Sequence, residues 1–96
     1  MPLTFRPCIL IPCYNHGAMM ANVLSRLAPF QLPVIVVDDG SDASTRQELD
    51  RLAVDNAQVT RVRLINNAGK GAAVIRGLKV CAGAGFTHAV QVDADG

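Results

Sequence analysis

The sequence predicts an α/β domain on a mainly parallel sheet, and three observations carry that prediction. Four short segments rich in β-branched residues recur along the 96 residues: CILIP (8–12), PVIVVD (33–38), VTRVRLI (59–65) and THAVQVD (87–93). Each neighbouring pair is separated by a longer stretch whose apolar residues fall at helical spacing. The resulting order, β-α-β-α-β-α-β, is that of parallel strands with helices layered on the sheet faces. Half of the residues are hydrophobic but only 4% are aromatic, so the core must be built from Val, Ile, Leu and Ala. Side chains of that kind favour close packing of helix on sheet.

Taken in order, CILIP reads as a buried strand. Cys8 and Cys13 lie five apart there, so their side chains face opposite sides. GAMMANVLSRLAPF (17–30) places Met20, Val23, Leu24 and Leu27 on one helical face and is stopped by Pro29. PVIVVD is continuously apolar, as a strand covered on both faces should be. SDASTRQELDRLAVDN (41–56) offers Ser41, Asp42 or Ser44 as N-cap and carries Leu49, Leu52 and Ala53 on one face. VTRVRLI alternates, which predicts a strand with one polar face near a sheet edge. GAAVIRGLKVCAGAG (71–85) groups Val74, Ile75, Leu78 and Cys81 ahead of a Gly83/Gly85 terminator. THAVQVD reads as a further buried strand.

Right-handed crossovers then constrain the topology. With strand order 3-2-1-4, a Rossmann-like arrangement, the first two helices cover one face and the third crosses to the other. That second face is half covered. Strand four becomes an apolar edge through Ala89, Val90 and Val92, a site for self-association. Residues 1–96 are therefore expected to be a single partial domain, truncated after strand four.

Composition excludes several classes. The net charge is +1 and the basic residues are scattered, so no nucleic acid is expected as partner. The N-terminus has no charged region ahead of a long apolar run. No apolar run approaches the roughly 20 residues that span a bilayer. A cytoplasmic protein is expected. Three cysteines without CxxC spacing read as buried free thiols.

The unusual polar residues all follow strands: Pro12-Cys13-Tyr14-Asn15-His16-Gly17, Asp38-Asp39-Gly40-Ser41, Asn66-Asn67-Ala68-Gly69-Lys70-Gly71 and Asp93-Ala94-Asp95-Gly96. Open α/β sheets bind ligands outside the carboxyl ends of their strands, so four loops converge on one rim. Asp93 and Asp95 flank one residue and supply hard oxygens, which suit Mg²⁺ or Mn²⁺ bridged to phosphate; a solvated Asx turn explains them equally well. Asp39 can accept from a base or a ribose hydroxyl, or simply belong to a helix entry. Tyr14, the single tyrosine, can stack on a base or pack. Gly69, Lys70 and Gly71 open a helix whose N–H groups suit an anion. Neither the dinucleotide fingerprint nor the P-loop spacing is met, because Val74 and Ala72 break the two patterns.

Together, IPCYNHG, VVDDGS, NxGKGAA and VDADG resemble the N-terminal half of inverting family-2 glycosyltransferases of the GT-A fold, over nearly the whole chain. The resemblance is greatest to the branch of dolichyl- and polyprenyl-phosphate sugar synthases. It implies a nucleotide-sugar donor, a UDP- or GDP-sugar, and a divalent metal, Mg²⁺ or Mn²⁺. Pro12 and Tyr14, with the adjoining Asn15, match positions at the base and ribose. Asp39 matches the acid that hydrogen-bonds the base, and Asp38 its partner. Lys70 matches a lysine close to the donor, Asp93 the acid toward ribose or sugar, and Asp95 the metal ligand. The resemblance matches no catalytic base here, so the fragment is expected to be inactive alone. His16 stands where the lipid-phosphate branch usually has Glu, which leaves the acceptor unassigned. A nucleotide- or metal-binding module acting with a partner is the alternative reading.

Overall fold

The computed structural model describes residues 4–94. The chain runs β1 (Pro7–Cys13), α1 (Gly17–Leu27), a 3₁₀ turn (Ala28–Phe30), β2 (Val34–Asp39), α2 (Ala43–Asp55), β3 (Val59–Leu64), α3 (Lys70–Gly83) and β4 (His88–Gln91). Its sheet has the order β3-β2-β1-β4, and all three strand pairs are parallel. Each strand is followed by a helical crossover, which is what parallel pairing requires. β1 lies between β2 and β4, in register Ile9 with Val34 and Val90. β3 closes one edge, as its alternation predicts, and β4 the other.

Side chains divide by the period of two. On one face Ile9, Ile11, Val34 and Val36 meet Met20, Val23 and Leu24 of α1 and Leu49 and Leu52 of α2. On the other, Cys8, Leu10, Ile35 and Val37 meet Ala73 and Cys81 of α3. Cys8 and Cys13 accordingly fall in different clusters. Each fully buried Leu, Ile or Val in these layers contributes about 1.5–3 kcal/mol relative to exposure. β2 is buried along its whole length because it has a strand on each side and helices over both faces.

Local chemistry fixes the helix ends. Of the three candidate caps for α2, Asp42 is the one used, its carboxylate accepting from Thr45 N–H at 2.9 Å. Pro29 ends α1 by turning the chain into the short 3₁₀ segment. Gly85 follows α3 with φ of 86°, and Phe86 N–H closes the end on Cys81 C=O.

Two expectations are corrected. α3 does not bury Ile75 and Leu78, which are exposed; its sheet face is Ala73, Gly77 and Cys81, flanked by Val74 and Val80. The small residues let the helix lie close: a Cβ on Gly77 would overlap Leu10 Cδ1 and sit 3.0 Å from Val37 Cγ2. Apolar spacing alone chose the larger side chains, whereas close approach selected the smaller ones. β4 is not a buried strand either. Only β1 pairs with it, and Val90 is 54% exposed on the outer part of the sheet.

Candidate functional site

Strand order reverses between β1 and β4, so the loops after these strands diverge and leave a crevice at the carboxyl end of the sheet. A cleft of about 250 Å³ opens there, with Pro12, Tyr14, Asp39, Asn67, Lys70 and Asp93 among its walls. That is a little below the roughly 300–1,000 Å³ of small-molecule pockets. Two depressions of similar size lie elsewhere. Neither stands at the switch point. Tyr14 is 46% exposed and presents its ring at the rim rather than to the core.

Asp39 is the organising group. It is 2% exposed. Its Oδ1 accepts from Ala68 N–H at 2.8 Å, and its Oδ2 accepts from Gly69 N–H and from Asn67 Nδ2, both at 3.0 Å. Asn67 Nδ2 also donates to Asp39 C=O at 3.1 Å. The acid at the end of β2 thereby fixes the loop that opens α3. Gly40 makes this possible: its φ is 69°, and a Cβ there would collide with the backbone of Asn66 and Asn67. Asn67 is the site residue to which sequence reasoning gave no role. Its signal was its place at the head of the NxGKGAA motif, where an amide donor can reach a carboxylate on the neighbouring strand.

Across the cleft, Lys70 Nζ and Asp93 Oδ1 form an ion pair at 2.8 Å. Gln91 Nε2 donates to the same Asp93 oxygen at 3.4 Å. The hydrogen bond from Lys70 holds the Asp93 carboxyl below the usual carboxylate range. Lys70 is the first residue of α3, so its charge and the helix N-terminus adjoin. The pair thus joins the β3–α3 loop to the end of β4.

Of the residues singled out in the sequence, Pro12, Tyr14, Asp39, Lys70 and Asp93 come together around the cleft. Asn15 and Asp38 do not line it. Asp38 alternates with Asp39 along β2 and so turns to the α1/α2 face. It is fully buried there, accepting from Ser41 N–H at 3.0 Å and Arg63 Nε at 3.1 Å. Asn15 has φ of 56°, and its Oδ1 accepts from Asp42 N–H at 2.8 Å while its own N–H donates to Ser41 Oγ at 3.0 Å. The two hold the loops after β1 and β2 against one another, behind the cleft wall. Asp95 lies outside the described residues.

An open parallel sheet with a cleft and a helix N-terminus at its switch point defines a Rossmann-like α/β domain. The chain belongs to glycosyl transferase family 2, whose profile matches residues 8–96. It is 34% identical to a polyprenol monophosphomannose synthase of Mycolicibacterium smegmatis, over 99% of this chain and 38% of that protein. It is 33% identical to a UDP-N-acetylglucosamine–dolichyl-phosphate N-acetylglucosaminyltransferase of Methanococcus voltae, over 92% of this chain and 40% of that protein. The chain thus spans well under half the length of these relatives. Its fold is that of the mannosyltransferase PcManGT of Pyrobaculum calidifontis, solved with GDP-Man and Mn²⁺. The TM-score is 0.76 at 24% identity, over 96% of this chain and 28% of that one. The GT-A architecture expected from the strand-end motifs is therefore present, with order 3-2-1-4.

Proposed function

We propose that the cleft binds the nucleoside diphosphate portion of a nucleotide-sugar, as the donor half of a sugar transferase that inverts the anomeric centre. One observation carries this reading: Asp39, Lys70 and Asp93, from three different strand ends, meet with the α3 N-terminus around one cleft. Tyr14 and Pro12 offer an apolar platform for base and ribose. Asp39 has used three acceptor sites on the β3–α3 loop and retains capacity for one N–H of a base. Lys70 and the first turn of α3 provide positive charge for the diphosphate. Asp93 accepts from donor hydroxyls once the diphosphate draws Lys70 away.

The oxygen donors here fit a hard divalent cation. Among the described residues no three His, Cys, Asp or Glu side chains cluster as a complete ligand set. Mg²⁺ and Mn²⁺ are commonly held by one or two carboxylates, with phosphate oxygens filling other positions. Asp95, with Asp93 beside it, would hold such an ion. When bound, the ion neutralises charge developing on the departing diphosphate. The UDP-N-acetylglucosamine named for one relative and the neighbour's GDP-Man and Mn²⁺ support a UDP- or GDP-sugar donor with a divalent metal. No residue of the cleft is assigned as the base that activates an acceptor. The 96-residue chain is accordingly expected to bind donor without turnover.

Calorimetric titration tests the reading. GDP or UDP should bind in the presence of Mn²⁺ and lose affinity when the metal is chelated. Lys70→Ala should weaken binding about 10- to 100-fold, the size of a charge-assisted hydrogen bond of about 1.5–3 kcal/mol. Absence of binding heat and of competition by either nucleotide would remove the donor-site assignment.

A further inference from the structure

Two cysteines that the cleft does not use face one another in the α3 layer. Cys8 Sγ and Cys81 Sγ are 3.0 Å apart, on β1 and on the last turn of α3. Both are free thiols, 0% and 4% exposed, and belong to the same small cluster of buried side chains. A disulfide sulfur pair lies at ~2.05 Å, so about 1 Å of further approach separates contact from bond. Cys13, the third thiol, stands on the opposite face of the sheet against α1 and α2. The fold therefore presents one pair and isolates the remaining cysteine.

We propose that Cys8 and Cys81 are a disulfide-forming pair, joined on two-electron oxidation by a peroxide, so that the C-terminal part of α3 is bonded to the start of the central strand. Cys81 lies in the last turns of the helix and is the less deeply covered of the two, so it meets the oxidant first. Its thiolate attacks one peroxide oxygen, the O–O bond breaks, and a sulfenic acid and one water form. Cys8 Sγ then attacks the sulfenic sulfur. The hydroxyl leaves with the Cys8 proton as a second water. Two thiols and one hydrogen peroxide thus give one disulfide and two waters.

Burial, then the Cys81 hydrogen bond and charge, push the Cys8 thiol up to about 12. The closing attack by Cys8 is consequently slow at neutral pH and becomes faster as pH rises, since the thiolate is the stronger nucleophile. The bond forms at the amino-terminal end of β1, whereas the cleft begins at its carboxyl end, at Pro12 to Tyr14. The link therefore fastens α3 while leaving the cleft residues in place.

The test is peptide mapping of the folded 96-residue chain after peroxide treatment, with alkylation in denaturant. Alkylatable thiols should fall from three to one, with Cys13 the survivor. Trypsin should release residues 1–26 joined to 80–96, and tandem fragmentation should place the link at Cys8. The oxidised chain should melt at a higher temperature, and reduction should restore all three thiols. Cys13→Ser should behave as the native chain does. Three surviving thiols would overturn the proposal. So would a link through Cys13, a bond between chains, or sulfinic acid at Cys81 without a link.

Discussion

Asp39 and Asp38 are adjacent acids with separate tasks, set by the alternation of side chains along β2. Asp39 points to the α3 face and holds Asn67, Ala68 and Gly69. Asp39→Asn turns one acceptor into a donor facing those N–H groups. Amide exchange at Ala68 and Gly69 should accelerate, and nucleotide affinity should fall about 10- to 100-fold, since each charged hydrogen bond contributes about 1.5–3 kcal/mol. Unchanged exchange at both amides would contradict the positioning role. Asp38 points the other way, its buried carboxylate paired with the partly exposed guanidinium of Arg63. Removing that partner leaves the carboxylate uncompensated. Arg63→Met should cost about 1–3 kcal/mol in urea unfolding, the penalty of leaving a buried acceptor short of a donor. A loss within about 0.5 kcal/mol, typical of plain surface substitutions, would show that Ser41 N–H alone satisfies Asp38.

At the scale of elements, α3 shows what periodicity can and cannot reveal. Its existence and limits were legible in the sequence, because Lys70 follows a glycine loop and Gly83 to Gly85 end the helix. Its buried face was not. Ile75 and Leu78 fit an apolar stripe as well as Ala73 and Gly77 do, and only the spacing between helix and sheet decides between them. That spacing follows from Leu10 and Val37, which are distant in sequence. Gly77→Ala should therefore destabilise by about 1–3 kcal/mol through overpacking, partly offset by about 1 kcal/mol of helix propensity. Gly83→Ala, with nothing within 4 Å of its added Cβ, should be neutral or stabilising. Equal effects of the two would refute the close contact. β4 lies at the edge, as the strand order predicted, and only its apolar run misled as to burial: its residues are as apolar as those of a central strand, but burial depends on what lies beside it.

For the whole molecule, charge and site follow from the topology. Asp50 is held below its usual range by a hydrogen bond from Arg63, and Glu48 by one from Arg51. A carboxylate whose folded value is depressed stabilises the fold above its unfolded value. That contribution is lost as pH falls through the folded value. Melting temperature should thus be level near neutrality and decline below about pH 4.5, and Asp50→Asn should flatten part of that decline. An unaltered slope in the variant would remove Asp50 from the account. Convergence of four strand-end loops was legible because parallel topology sends every β-to-α loop to one rim. Division of labour within those loops was not: Asn15, Asp38 and Asn67 acquire their partners across the sheet, from residues 25 to 28 positions away. The central claim is donor binding at this rim, and amide NMR during titration with GDP or UDP plus Mn²⁺ tests it most directly. Saturable shifts should appear at Tyr14, Asp39, Gly69, Lys70 and Asp93, with Leu24, Leu32 and Gln58 at the opposite end of the sheet unmoved. Shifts confined to that opposite end, or none with either nucleotide, would contradict it.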